Sequence, residues 1–185
     1  DVPAPINNPD SAEVVIPKSM NRVIVMLIEQ DYDSTLPGGV SDVSNTTTSL
    51  GYSKMAFTGA TLANAIRMMG FQAFAMGNDT SLSIPLAIDA GLGEDSRMGV
   101  LVTPKYGSNI RIVKVITDMP LLTDSPITFG VDEFCKVCGK CAETCPSGCI
   151  PSKEKVTGPS YETNDINNTV GVKKWTVDQK QCFTF

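Results

Sequence analysis

Histidine is missing from the chain altogether. That removes histidine-bearing zinc sites, serine–histidine triads and any histidine ligand to a haem or cobalt from this stretch. Cysteine is missing from the first 134 residues. A disulfide framework spreads its cysteines along a short chain, so this distribution argues against one. No apolar run approaches the roughly 20 residues of a membrane-spanning helix. No cluster of lysine and arginine stands out and the net charge is −5, which argues against a nucleic-acid partner. No secretory or twin-arginine leader is visible, and the first residue is Asp1 rather than methionine.

What is present fits a globular chain. Apolar residues make up 42 % of the 185 and charged residues 19 %, which is neither a disordered nor a membrane composition. Residues 1–20, rich in Pro, Asn and Asp, are expected to form a surface arm. Arg22–Ile28 is an apolar run that predicts a buried strand, and residues 29–50 look like loop. From Gly51 to Met69 the pattern predicts a helix. Leu62, Ala65, Ile66 and Met69 fall on one face, and Gly70 serves as the stop. A strand over Phe71–Met76, a helix over Ser81–Ala90 and strands over Val100–Thr103 and Ile110–Ile116 follow. Pro104–Asn109 makes the turn between the last two. This alternation indicates a mixed α/β layer. The character changes near Pro126–Gly130, which places the division at 1–128 and 129–185. Thr157–Asn168 is expected to be a surface loop.

Five of the six cysteines crowd into fifteen residues, and they carry the chemistry. Cys135, Cys138, Cys141 and Cys145, followed by Pro146, fit C-x2-C-x2-C-x3-C-P, the bacterial [4Fe–4S] run. Two-residue gaps let one tight loop aim three thiolates at a single cubane. The three-residue gap turns Cys145 toward a neighbouring cluster, whose other ligands need a second run. Only Cys182 remains to begin it, so the second run is expected beyond Phe185 and the chain is expected to be a fragment. Cys149 is taken as a small buried residue, with ligation the minor alternative. A zinc knot is the rival reading of the motif.

Three upstream stretches precede this run. They are Gly51-Tyr52-Ser53-Lys54-Met55, then Gly77–Pro85, then Ala90–Arg111 with its Gly91, Gly93, Arg97, Gly99, Pro104 and Gly107. In this order and spacing, followed by the cysteines, they resemble the respiratory reductive dehalogenases, over roughly residues 20–185. The nearest resemblance is to enzymes acting on chlorinated ethenes, ethanes or methanes. The resemblance implies an α+β fold. A nitroreductase-like α/β core binding a base-off corrinoid would be followed by a ferredoxin-like module with two [4Fe–4S] clusters, here truncated.

The activity so implied is replacement of a carbon-bound halogen by hydrogen, with the cofactor carrying the hard chemistry. By that resemblance Tyr52 matches the proton donor, Arg111 the arginine close to that phenol, and Asn78 an asparagine whose amide can orient the phenol or stabilise departing halide. Thr48 matches the pocket wall. Gly91, Gly93, Gly99 and Gly107 match close approach to the corrin ring. A phenol is a weak acid that can yield its proton to a carbanion, and a guanidinium stabilises the phenolate left behind. Without the resemblance, Tyr52 is a helix-start aromatic, Arg111 an ordinary strand arginine, Asn78 a turn or cap residue, and the glycines tight turns. One departure is Cys149, where the family often has alanine.

The resemblance further implies a small halogenated hydrocarbon as substrate, a respiratory electron donor and a small membrane anchor protein. The location would be the outer face of the cytoplasmic membrane, reached through a twin-arginine signal. Epoxyqueuosine reductase combines the same kinds of cofactor, but as a tRNA-modifying enzyme it should show a basic surface. A ferredoxin-type carrier would hold iron and sulfide without cobalt.

Overall fold

The computed structural model describes residues 2–8, 13–38, 41–78, 80–161 and 170–185, without the side chains of Asn7 and Asn8. The chain divides into two compact units. One comprises Asp1–Ala90 with Asn109–Ser125, the other Gly91–Ser108 with Pro126–Phe185. Composition suggested a single cut at residue 128. The units are instead interleaved, because residues 94–97 bond to the cysteine segment far downstream.

The first unit is built on a three-stranded antiparallel sheet. β3 (Arg22–Glu29) and β4 (Ala73–Met76) flank a central β7 (Ile110–Thr117). The register pairs Ile28 with Arg111 and Val25 with Lys114 on one side, and Met76 with Lys114 on the other. The arrangement is mixed α+β, and the strands alternate with helices as expected, but every pair is antiparallel. Two further strands, β1 (Ile6–Asn8) and β2 (Glu13–Val15), pair within the expected surface arm, which also buries Met20.

Side chains alternate across β7. Arg111, Val113 and Val115 face the long helix α2 (Asp42–Met68), while Lys114 reaches toward the start of α3 (Ser83–Asp89). With both faces covered, most of the strand is buried, including the polar Lys114 and Thr117. Ala63 and Ile66 of α2 pack with Ala73 and Val115 as the buried core.

Helix α2 corrects two expectations. It begins at Asp42, nine residues before Gly51, and a short α1 (Tyr32–Thr35) precedes it, so much of 29–50 is not loop. Gly39 falls outside the described residues. The polar Ser44–Ser49 stretch has poor helix propensity, yet its backbone is satisfied. The Ser41 hydroxyl accepts from the Ser44 N–H at 3.1 Å, and the Thr47 hydroxyl donates to the Val43 carbonyl at 2.9 Å. The buried stripe is also different. Met55, Gly59, Ala63 and Ile66 lie inward with Leu62, whereas Ala65 and Met69 are exposed. Small residues let helix and sheet approach closely. A Cβ on Gly59 would sit 2.8 Å from Val113 Cγ2. A stripe made of glycine and alanine does not register as an apolar face. Gly70, at φ 92°, ends the helix as expected.

In the second unit a hairpin, β5 (Glu94–Asp95) with β6 (Leu101–Val102), leads into a turn where Thr103 bridges Gly107. The cysteines follow on α4 (Val131–Val137) and α5 (Lys140–Thr144), and α6 (Gln179–Thr184) carries Cys182. Most of the expected Thr157–Asn168 loop lies outside the described residues. Within its described part, Ser160 bridges Lys174. Among the described residues no helix is long and apolar enough to cross a membrane.

Candidate functional site

Tyr52 sits on α2 one residue after Gly51, at the point where that helix crosses β7. A Cβ on Gly51 would lie 3.1 Å from Arg111 Cγ and 3.5 Å from Gln30 Nε2, so the glycine lets the helix settle onto the strand there. The Arg111 guanidinium consequently lies under the Tyr52 ring, 4.8 Å from its centroid. Asn78, in the turn between β4 and α3, donates its amide N–H to the Tyr52 hydroxyl oxygen at 3.1 Å. Helix, turn and strand thus bring together three residues that the sequence separates. Tyr52 and Asn78 remain partly open to solvent, as a site that takes an external molecule requires. Thr48 is half-buried one helical turn before Tyr52 and shares its side of α2.

Two buried donors nearby, Gln30 Nε2 and Arg111 Nε, have no hydrogen-bond partner among the described residues. Buried donors are ordinarily paired. Their presence around Gly51–Tyr52 fits a face that receives an electron-rich group from outside this segment. The turn holding Asn78 is itself anchored by Lys114. Its fully buried ammonium donates to the Gly77 carbonyl at 2.8 Å, the Ser81 carbonyl at 3.1 Å and the Ser83 hydroxyl at 2.6 Å. Sequence reasoning missed this lysine. A charge in the middle of an apolar strand was the available signal.

In the second unit the cysteines fall into two groups. Cys135, Cys138 and Cys141 line one cavity of about 520 Å³, together with Arg97, Met98, Phe134 and Gly139. Gly139, at φ 72°, makes the bend between α4 and α5 that a two-residue gap requires. Cys145 is turned away from them, with its Sγ 3.3 Å from the Ser147 hydroxyl and 3.5 Å from Cys149 Sγ. The Ser147 hydroxyl favours the Cys145 thiolate, whereas burial pushes the Cys149 thiol up. Cys149 is buried and Cys182 exposed. Among the described residues no three Cys, Asp or Glu side chains converge on the position of a single metal ion. Three thiols around a roomy cavity fit three of the four positions of a thiolate-held cubane, and Cys145 is turned aside as the fourth cysteine of such a run is.

Other residues organise this segment, none of them among the site residues expected from the sequence. The Glu94 carboxylate accepts from the Phe129 and Val131 amides at 2.8 and 3.0 Å, capping α4, whose own N-cap residue is Gly130. Arg97 and Trp175 are both buried, with the guanidinium 4.4 Å from the indole centroid. Asp95 accepts from the Trp175 and Ser96 amides, yet burial raises its pKa to about 6. The four glycines have conformational or packing reasons within their own unit. Gly91, Gly99 and Gly107 have positive φ, Gly99 abuts Val177, and a Cβ on Gly93 would collide with the Val102 carbonyl.

No protein-family model matches the chain. The chain is 39 % identical over 188 residues to the tetrachloroethene reductive dehalogenase of Sulfurospirillum multivorans, covering all of this chain and 36 % of that protein. To the tetrachloroethene reductive dehalogenase of Desulfitobacterium hafniense it is 41 % identical over 169 residues, covering 91 % of this chain and 30 % of that one. The chain therefore spans about a third of the length of the curated relatives it matches. Among solved structures it is similar to the catabolic reductive dehalogenase NpRdhA, with a TM-score of 0.72 and 32 % identity, over 86 % of this chain and 22 % of that one. Sequence along the entire chain and backbone over most of it thus point the same way, and the chain belongs to the reductive dehalogenase family.

Proposed function

We propose that the protein of which this chain forms part removes halogen reductively from a small organohalide, in organohalide respiration. Two electrons and a proton convert the carbon–halogen bond to carbon–hydrogen and release halide. The observation that carries this reading is the meeting of Tyr52, Asn78 and Arg111 on α2, the β4–α3 turn and β7.

Tyr52 supplies the proton from its hydroxyl. Asn78 occupies a lone pair of that oxygen with its N–H, which leaves the O–H free to point at the reacting carbon. The Arg111 charge over the ring stabilises the phenolate that remains after transfer. Thr48 walls the pocket on the same side of the helix. The names of the relatives, tetrachloroethene reductive dehalogenases, support a chlorinated ethene or similar small molecule as substrate.

When bound, a corrinoid would supply the cobalt-centred reaction with the organohalide, and two [4Fe–4S] clusters the electrons. One solved relative is described as performing B12-dependent dehalogenation, which supports the corrinoid. Cys135, Cys138 and Cys141 would hold one cluster, and Cys145 and Cys182 would belong to the other. In this reading unit one is part of a nitroreductase-like core, the second unit is ferredoxin-like, and Gly91, Gly93, Gly99 and Gly107 approach the corrinoid. A respiratory electron donor, a small membrane anchor protein and a twin-arginine route to the outer face of the cytoplasmic membrane belong to the same proposal.

The test uses the full-length protein, loaded with cobalt and iron and reduced with a viologen, against chlorinated methanes, ethanes and ethenes. Tyr52→Phe is expected to lower turnover by at least about 100-fold with both metals retained. Loaded protein that dehalogenates nothing would end the functional reading, and undiminished turnover in Tyr52→Phe would end the role of the phenol.

A further inference from the structure

Arg97 is 1 % exposed. The ion pairs among the described residues join Lys136 to Asp132 and Glu133, and Lys140 to Glu143, and Arg97 has none. Even Asp95, two residues away, turns its carboxylate to the Ser96 and Trp175 amides instead. The guanidinium donates only to neutral acceptors. Nε and Nη2 reach the Cys135 carbonyl at 3.0 and 2.9 Å, and Nη1 reaches the carbonyls of Pro151 and Val156 at 3.1 and 2.8 Å. Its flat face lies on Trp175, 4.4 Å from the ring centroid. Carbonyl dipoles and an aromatic face solvate a cation without cancelling its charge, and the Glu154 carboxylate, which feels that charge, is exposed and forms no ion pair with it. A buried charge without a counter-charge is costly, and buried charges are ordinarily paired or set against metal centres.

The same residue touches the cysteine run twice. Its backbone N–H donates to Cys135 Sγ at 3.4 Å, while its side chain grips the Cys135 carbonyl. It also lines the cavity shared by Cys135, Cys138 and Cys141. A cation and an N–H aimed at sulfur both favour a thiolate over a thiol. Both also favour the reduced form of a thiolate-held cluster, which is more negative by one electron.

We propose that Arg97 is the built-in counter-charge of an anionic iron–sulfur cluster held by Cys135, Cys138 and Cys141, and that it raises the reduction potential of that cluster. This assignment rests on the cluster reading given above. Arg97 is a positioning and tuning residue, because it donates to a ligand and does not itself ligate iron. Glutamine at this position would keep donors for some of the carbonyls and lose the charge. Lysine would keep the charge and lose the fork.

The experiment is an anaerobic redox titration of the full-length, iron-loaded protein, followed by electron paramagnetic resonance, with iron and sulfide counted in each sample. Arg97→Gln is expected to shift one cluster midpoint to more negative potential, and Arg97→Lys to leave it close to the unsubstituted value. A full complement of iron in Arg97→Gln with an unmoved midpoint overturns the assignment. If Arg97→Gln loses the cluster, retention in Arg97→Lys supports the charge. Loss in both overturns it, because the fork and not the charge would then be holding the loop. Unsubstituted protein that takes up no iron removes the cluster reading itself, and the assignment with it.

Discussion

Asn78 donates to the Tyr52 oxygen across 3.1 Å, so the phenol is held as an acceptor on one side while its own proton stays available on the other. The bond ties a turn to a helix 26 residues earlier in the chain. An acceptor that gains negative charge as its proton leaves strengthens this bond, which makes Asn78 more useful after the transfer than before it. A hydrogen bond to a charged group is worth about 1.5–3 kcal/mol. Asn78→Ala should therefore lower dehalogenation roughly tenfold to a hundredfold. In a Tyr52→Phe background the same change should add little, because no phenolate remains to stabilise. Single and double variants compared by kcat measure this coupling. Fully additive losses would show that the two residues act separately.

Lys114 holds the turn that carries Asn78. Lys114→Met fills a similar volume but leaves the Gly77 and Ser81 carbonyls without this donor. Stability should fall by about 2–4 kcal/mol, since each buried group left unpaired costs roughly 1–3 kcal/mol. Urea unfolding measures it, and a change below about 0.5 kcal/mol, the ordinary surface value, would count against the anchor.

Cys149 and Cys145 lie 3.5 Å apart at sulfur, and the Ser147 hydroxyl favours both thiolates, but at Cys149 burial outweighs it and pushes the thiol up, whereas Cys145 is held down. Cys149 is 5 % exposed and sits where a small buried side chain fits. Cys149→Ala is expected to leave the iron count of the full-length protein unchanged, while Cys145→Ala lowers it. Iron and sulfide analysis of the two variants checks this. Equal losses would make Cys149 a ligand.

Asp95 predicts a pH dependence. Burial lifts its pKa from 3.8 to about 6. Between about pH 4 and 6 the folded state therefore keeps a proton that the unfolded state has lost. Stability falls as pH rises through this window and levels off above it. The contribution is about 3 kcal/mol at most, at 1.36 kcal/mol per pKa unit. Asp95→Asn carries no such proton. The difference in unfolding free energy between the two proteins should change from pH 4 to 6 and stay flat from 7 to 8.

Local signals were legible to different depths. Arg22–Ile28 and Ile110–Ile116 were readable as strands because both are short runs dominated by β-branched and aliphatic residues, although only the central β7 is largely buried and β3 is half-buried along its length. The start of α2 was not, because Ser44–Ser49 is a poor helix former held by a Ser41 cap and by packing. The inward stripe of α2 was hidden for a related reason. Gly59 and Ala63 contribute closeness to β7 rather than hydrophobic bulk. Tyr52, Asn78 and Arg111 were singled out by family resemblance alone, since nothing in their immediate neighbours distinguishes them from a core aromatic, a turn amide and a strand cation.

The cysteine run could be understood from sequence because its geometry is covalent and short-range. Gaps of two and three residues limit where each thiol can point, whatever the rest of the chain does. Tertiary structure decided everything that depends on long separations. It placed Asn78 and Arg111 against Tyr52, buried Lys114 under the turn, and drove Arg97 beneath Cys135 without an ion pair among the described residues. Such contacts arise from which faces of helix and strand pack together, and a side chain's charge does not reveal in advance that it will be taken out of water.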